Sequence, residues 1–323
     1  NDVDIVVAFL GAMRLGAVWV GVNRALAPPE KQYLLSDSGA SVFLATAEAA
    51  AQLRPHTDGL SALRHVVVIE RENGPDEWSP RLSAAPGDPW PRDAVDAFEP
   101  AAIAYTSGTT GRPKGAVHSH RDALVNAEYY GVGTLAMNEN DTFFSAAKLF
   151  FAYGLGNALT FPMAVGATAV LMAGRPTPED VMARVRDNEA TIFFGVPTLY
   201  AGILADDDID RAASSPKLRH CVSAGEALPK DVAKRWAQHF CVDILDGIVT
   251  GDGPERTVTA FFMKVYGVFI PESFKQWPVG VTLKQKVIGD IKLIQIGVRR
   301  ELAGALLRCG LIVKHGYLLS ISL

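Results

Sequence analysis

The chain has 323 residues, 49% of them hydrophobic and 20% charged, with a formal net charge of -4. That composition suits a globular fold of one large or two smaller domains and opposes a nucleic-acid binder, which would carry a basic excess. Cys221, Cys241 and Cys309 share no close spacing, so neither a disulfide framework nor a CxxC pair is predicted, which fits a reducing, cytoplasmic compartment.

The chain opens on Asn1 and not Met, which predicts no signal peptide and suggests a chain cut from something longer. Its first stretch, "NDVDIVVAFLGAMRLGA", reads as an amphipathic helix with Asn or Asp as N-cap. Short β-branched and aromatic runs then predict strands. They are "AVWVGV" (17–22), "HVVVIE" (65–70), "AAIAYT" (101–106), "GAVHS" (115–119), "ATAVLM" (167–172), "ATIFFG" (190–195), "LRHCVSA" (218–224) and "CVDIL" (241–245). Helices are predicted between them. One covers 119–135 from Ser119. Another covers 177–188, with Thr177 as N-cap, Pro178 at the first helical position and acids in the first turn. A third covers 228–239, again with a proline near its start. The run 71–100, rich in Pro, Gly and charge, reads as a surface connection.

Alternating strands and helices, with near-continuous apolar strands, predict an α/β fold whose parallel-rich sheets are covered by helices. From about Val249 the rhythm fades, and residues 249–323 have apolar runs without clear caps or turns. Arg308, Lys314 and His315 interrupt the final apolar stretch, so no window reaches the roughly 18 to 20 residues of a membrane span.

The densest chemistry lies in "TSGTTGRPKG", 106–115. It follows a predicted strand and offers the amides of Gly108, Gly111 and Gly115, the hydroxyls of Thr106, Ser107, Thr109 and Thr110, and the cation Lys114. Amides and hydroxyls donate hydrogen bonds without bulk and lysine adds a point charge, which is what a polyphosphate requires. The spacing is not the P-loop pattern, because Pro113 precedes Lys114 and Gly115 follows it. The next run reads as a strand, which places the loop on a hairpin. A surface turn is the bland alternative; the density of donors beside a buried strand opposes it.

"YTSGTTGRPKGAVHSH" closely resembles the signature loop of the AMP-forming acyl-CoA synthetase superfamily. The segments "AAKLFFAYGLGNALTFPMAVGATAVLM", "TIFFGVPTLYAGIL" and "CVSAGEALPKDVAKRWAQHFCVDILDGI" resemble its benzoate–CoA ligase branch, so the likeness covers residues 1–248. It implies part of that family's large N-terminal adenylation domain. It also implies a reaction in which a carboxylate attacks the α-phosphate of Mg-ATP and CoA then displaces AMP. Thr106, Ser107, Gly108, Thr109, Thr110, Gly111 and Lys114 would hold the outer phosphates, with Lys114 as the catalytic cation. Gly225, Glu226, Ala227, Asp246, Gly247 and Ile248 would flank the nucleotide. ATP, Mg2+ and CoA are the implied cofactors and co-substrates, and a small carboxylic acid the implied partner.

"KLFFAYGLGN" (148–157) sets Phe150, Phe151 and Tyr153 beside Ala152, Gly154 and Gly156, an aromatic wall with glycines leaving room for a flat acyl group. The same rings could simply be core. The resemblance favours Phe151, Ala152, Tyr153 and Gly154 as acid-pocket residues, and "GVPTLY" (195–200) as another wall unless Pro197 and Thr198 merely start a helix. His118 and His120 share a face at strand spacing, with no third ligand to make a metal site. Cys221 and Cys241 read as small core residues, and 205–211 as a solvated acidic loop.

After "DILDGI" the family continues "GSTE", whereas Val249, Thr250, Gly251 and Asp252 stand here. Nothing later resembles the family's hinge or its lysine-bearing C-terminal lid. The tail 249–323 is a frameshift, a chimeric junction or a novel terminus. The resemblance thus implies a ligase fragment for an aromatic acid, weak or inactive as this polypeptide. A medium-chain or branched acyl-CoA synthetase and a non-catalytic ATP-binding remnant are the alternatives. A P-loop kinase is opposed by the missing GK[ST].

Overall fold

The computed structural model describes residues 1, 3–69, 76–85, 95–106 and 112–249, and the backbone of 261–264, 281–288 and 291–298; side chains are described up to residue 246. The helices are α1 (Val3–Leu15), α2 (Pro28–Asp37), α3 (Ala47–Leu53), α4 (Trp78–Ala84), α5 (His120–Asn126), α6 (Ala152–Leu155), α7 (Phe161–Val165), α8 (Pro178–Asp187), α9 (Pro197–Leu204) and α10 (Lys230–Phe240). The strands are β1 (Trp19–Val20), β2 (Val42–Ala45), β3 (His65–Val68), β4 (Pro100–Thr106), β5 (Lys114–Ser119), β6 (Thr142–Ser145), β7 (Thr168–Val170), β8 (Ile192–Gly195), β9 (His220–Ser223), β10 (Ile244–Val249), β11 (Phe261–Lys264), β12 (Val281–Ile288) and β13 (Ile291–Val298). π-helical turns at Ala127–Val132 and Gly156–Thr160 continue α5 and α6.

The larger sheet has the order β11-β10-β9-β8-β6-β7, parallel throughout except for the β10–β11 pair. A smaller sheet runs β1-β4-β5, with β1 parallel and β5 antiparallel to β4. β2 and β3 form a parallel pair, and β12 and β13 an antiparallel hairpin. The predicted α/β class with parallel-rich sheets is the class observed.

β8 explains why. All four of its residues are buried, so "IFFG" is apolar on both faces and must be covered twice. On one face Phe193 stacks on Phe144 at 5.8 Å and touches Tyr200 and Trp236 from α9 and α10. On the other, Phe194 stacks on Phe143 at 6.0 Å, where Tyr130 and Phe161 close the layer. α10 serves the first face through Val232, Trp236 and Phe240, buried at i, i+4 and i+8. α8 begins as predicted, with the Thr177 hydroxyl accepting from the Asp180 N–H at 3.2 Å.

A polar lock holds the amino ends of the central strands. The Arg219 Nη2 and Nε donate to the Asp141 carboxylate at 2.6 and 3.0 Å, and the Thr191 hydroxyl donates to it at 2.7 Å. Arg219 also donates to the carbonyls of Leu135 and Ala136, so β6, β8 and β9 meet at one buried carboxylate. Burial opposes ionisation of Asp141, but the hydrogen bonds from Arg219, Thr191 and the Asn138 N–H outweigh it and hold the carboxyl below its ordinary value.

Several expectations are corrected. The four-residue strands β2 and β6 are too short for their period to stand out in sequence. The 71–100 connection contains the helix α4. Cys241 is no core residue: it is exposed and ends α10 in a left-handed conformation, φ 58°. Cys221 is buried in β9 as expected, and burial raises its thiol to about 12. His118 and His120 do not share a strand face, because α5 begins at His120. His118 instead lies 3.8 Å from Asp122. Cys309 and residues 250–252 lie outside the described residues.

Replacing Asp141 by Asn should lower stability at pH 7 by about 3 kcal/mol, since the Arg219 charge keeps its desolvation without its partner. A carboxyl with a depressed folded-state pKa stabilises above its unfolded value, and that contribution disappears as pH falls through the folded one. Urea unfolding of Asp141→Asn should therefore show a flatter loss of stability below about pH 4 than the parent chain.

Candidate functional site

Lys114 opens β5 directly opposite Thr106, the last residue of β4, so the strands flanking the donor-rich loop form an antiparallel hairpin. Ser107, Gly108, Thr109, Thr110 and Gly111 lie outside the described residues. Lys114 is exposed, whereas the Thr106 hydroxyl is buried with no partner among the described residues. α2 braces the hairpin. The Tyr33 hydroxyl donates to the Pro113 carbonyl at 2.9 Å, and the Tyr105 hydroxyl to Asp37 at 2.7 Å. The Arg112 guanidinium lies 6.0 Å from the Tyr33 ring centre. Burial first, then the Asp37 carboxylate, hold Tyr105 above its ordinary value, so it stays a donor.

The second group sits at the carboxyl edge of the larger sheet, where parallel α/β sheets present their loops to ligands. Gly195, Ser223 and Asp246 share one row across β8, β9 and β10. Ser223, the last residue of β9, and Asp246, midway along β10, are both buried polar residues. Past β9 the chain passes through Gly225, Glu226 and Ala227, all exposed. Gly225 has φ 95°, a conformation that a side chain would strain. Gly247 and Ile248 continue β10.

The aromatic segment reaches the same edge. Ala152, Tyr153 and Gly154 form α6, with Phe151 as its N-cap residue. Phe151 is 50% exposed and its ring packs on Phe150 at 4.4 Å. The Tyr153 ring meets Phe194 edge-on at 6.3 Å, and its hydroxyl lies 3.1 Å from both the Gly195 and Val222 carbonyl oxygens. Burial first, with Asp246 contributing, holds Tyr153 well above its ordinary value. The segment starts from an anchored lysine: Lys148 Nζ donates to the Met172 carbonyl at 2.7 Å and also to those of Ala173 and Gly174.

Gly154 has a packing reason that sequence reading missed: a Cβ there would collide with the Lys148 carbonyl, so glycine permits a close backbone crossing. Tyr200 of "GVPTLY" is no pocket wall. It is fully buried under the sheet, and Pro197 starts α9. Sequence reading missed Ser223 at the rim; a serine closing an apolar strand run was the available signal.

Thus the hairpin's phosphate-type donors belong to one sheet, and the second sheet's carboxyl edge supplies an aromatic-lined rim with a buried carboxylate. This defines an α/β protein with polar groups gathered at the carboxyl edge of a parallel sheet and at a neighbouring hairpin. The chain belongs to the AMP-binding enzyme family, whose model matches residues 1–251. It is similar to a benzoate–CoA ligase of Thauera aromatica, 45% identical over 256 residues that span 77% of this chain and 46% of that protein. A solved benzoate CoA ligase from Burkholderia xenovorans LB400 aligns with a TM-score of 0.67 at 40% identity, covering 77% of this chain and 48% of that one. The anthranilate CoA ligase AuaEII, solved with anthranoyl-AMP, aligns with a TM-score of 0.75 at 33% identity, covering 89% of this chain and 55% of its own. The chain spans about half the length of the curated relatives it matches. No helix among the described residues is long and apolar enough to cross a membrane.

The Gly154 crossing is open to test. Gly154→Ala should destabilise the fold by about 2 kcal/mol, because the Lys148 carbonyl is backbone and cannot swing away. A thermal melt of the variant should show the corresponding drop in Tm, while Gly11→Ala, inside α1 with open space around it and no left-handed backbone, should cost less.

Proposed function

We propose that this chain is the ATP- and acid-binding part of a ligase that activates an aromatic carboxylic acid as acyl-AMP and passes the acyl group to CoA. The observation that carries the reading is the 45% identity to a benzoate–CoA ligase, held over 77% of the chain. Residues 1–248 form the partial adenylation domain in this reading, and 249–323 a divergent tail.

The chemistry divides between the two sheets. The carboxylate oxygen of the acid attacks the α-phosphorus of ATP, the bond to the β-phosphate breaks, and pyrophosphate leaves. The thiolate of CoA then attacks the acyl carbon and AMP departs. Lys114, exposed at the hairpin end, supplies a positive charge to the leaving phosphates. The Thr106 hydroxyl, with no partner among the described residues, supplies a donor beside it. Ser107, Gly108, Thr109, Thr110 and Gly111 would complete that cradle. Gly225, Glu226 and Ala227, with Asp246, Gly247 and Ile248, would border the nucleotide at the ends of β9 and β10. Phe151, Ala152, Tyr153 and Gly154 would line the acid pocket, whose exposed aromatic ring suits a flat apolar acyl group.

Among the described residues no group of three or more His, Cys, Asp and Glu side chains could hold a metal on its own. In this reading magnesium would arrive on the nucleotide, which is how this ion is commonly held, through phosphate oxygens and few carboxylates. When bound it neutralises phosphate charge.

Titration calorimetry with ATP and benzoate tests the reading. The parent chain should bind both, and should prefer benzoate to octanoate. Lys114→Ala should weaken ATP about tenfold or more, the loss of one charge-assisted contact, and leave benzoate affinity within a factor of two. A parent chain that binds neither ligand would sink the proposal.

A further inference from the structure

The carbonyl of Val222, near the end of β9, receives two tyrosine hydroxyls. Tyr153 reaches it at 3.1 Å from the face carrying Phe194. Tyr200 reaches it at 2.9 Å from the face carrying Phe193 and Trp236. Tyr153 also lies 3.1 Å from the Gly195 carbonyl, while Tyr200's second acceptor, Phe193, is more distant at 3.4 Å. The two side chains thus grip one peptide group at the β8–β9 seam from opposite sides of the sheet.

The geometry around Tyr200 is built for this. The residue is fully buried, so its hydroxyl must find its partner inside the protein. A Cβ on Gly195 would come within 2.9 Å of the Tyr200 ring, so glycine is what lets the ring lie against the strand end. Trp236 holds the ring edge-on at 4.7 Å and Phe193 at 5.3 Å, leaving it little freedom to turn. Burial keeps both hydroxyls well above their ordinary titration range, so both stay protonated donors.

We infer that Tyr200 is a positioning residue for the acid pocket, acting through the Val222 carbonyl to fix where the Tyr153 ring stands. The inference rests on the reading of Tyr153 as a pocket residue. Tyr200 itself lies beneath the sheet and touches no ligand in this arrangement. With its hydroxyl gone, Val222 keeps its place between β8 and β10, but its carbonyl loses one of its two tyrosine donors. Tyr153, equidistant from the Gly195 and Val222 oxygens, then redistributes its single proton between them, and its ring shifts within the pocket. A purely structural tyrosine would affect stability, and would affect every ligand alike or none.

The test is a double-mutant cycle on the full chain, with Tyr200→Phe, Tyr153→Phe and the pair, each keeping the rings that fill the core. Calorimetry gives benzoate and ATP affinities, and urea unfolding gives stability. Tyr200→Phe should weaken benzoate about three- to tenfold, the scale of one hydrogen bond, with ATP affinity unchanged within a factor of two. In the Tyr153→Phe background the same change should alter benzoate affinity by less than about twofold, because no hydroxyl remains to be positioned. Equal losses in both backgrounds, parallel losses of ATP and benzoate, or lower stability with unchanged benzoate affinity would each overturn the inference. A parent chain that binds ATP but no aromatic acid overturns the acid-pocket reading and this inference with it. Benzoate binding insensitive to Tyr200→Phe overturns the inference alone.

Discussion

The central strand β8 is dry on both faces, and this constraint organises the larger sheet around it. Four buried residues in a row leave no polar side chain to meet water, so helices must lie above and below, and the neighbouring strands must run parallel to leave room for them. Phe193 and Phe194 then divide the interior into two layers, one built on Tyr200 and Trp236, the other on Tyr130 and Phe161. With both faces committed to packing, chemistry is left to the two ends of the strands.

Those ends are treated differently. At the amino end one buried carboxylate, Asp141, gathers Arg219, Thr191 and the Asn138 amide, which closes that edge with charge-assisted hydrogen bonds. At the carboxyl end the polar groups are spread out: tyrosine hydroxyls on strand carbonyls, Ser223 and Asp246 in one row, and an exposed glycine-containing turn. The first end is closed by charge, and the second is the edge where the proposed site lies. The hairpin β4–β5, braced by Tyr33 and Tyr105 against α2, supplies a different kind of group, a cation and a hydroxyl at a strand terminus. A cation-bearing hairpin and an aromatic rim are the complementary needs of a phosphate-rich nucleotide and a flat acid.

Much of this was readable along the chain. Eight predicted strands overlap observed ones, though 241–245 shares only Ile244 and Leu245 with β10 and 17–22 holds only the two-residue β1. The start of α8 was legible because Thr177 and Pro178 are local cap signals. The hairpin under the signature loop was legible too, from a strand resuming right after Lys114. The short strands β2 and β6 escaped because four residues carry no decisive period, and their strand character comes from neighbours far away in sequence. Cys241 was misplaced for a related reason: an apolar run continues through it, but the helix ends there in a left-handed residue.

Local chemistry therefore fixes the parts of this protein. Apolar period, caps and a dense run of donors depend on residues a few positions apart, so the α/β class and the phosphate-type loop can be read in one dimension. What each rim residue does is a matter of distant contacts. Gly154 is glycine because of the Lys148 backbone, Gly195 because of the Tyr200 ring, and Tyr153 and Tyr200 meet at a carbonyl 69 and 22 residues away. Only folding brings those groups within hydrogen-bond range, so only the tertiary structure shows that Tyr200 is buried beneath the sheet while Tyr153 reaches its carboxyl edge.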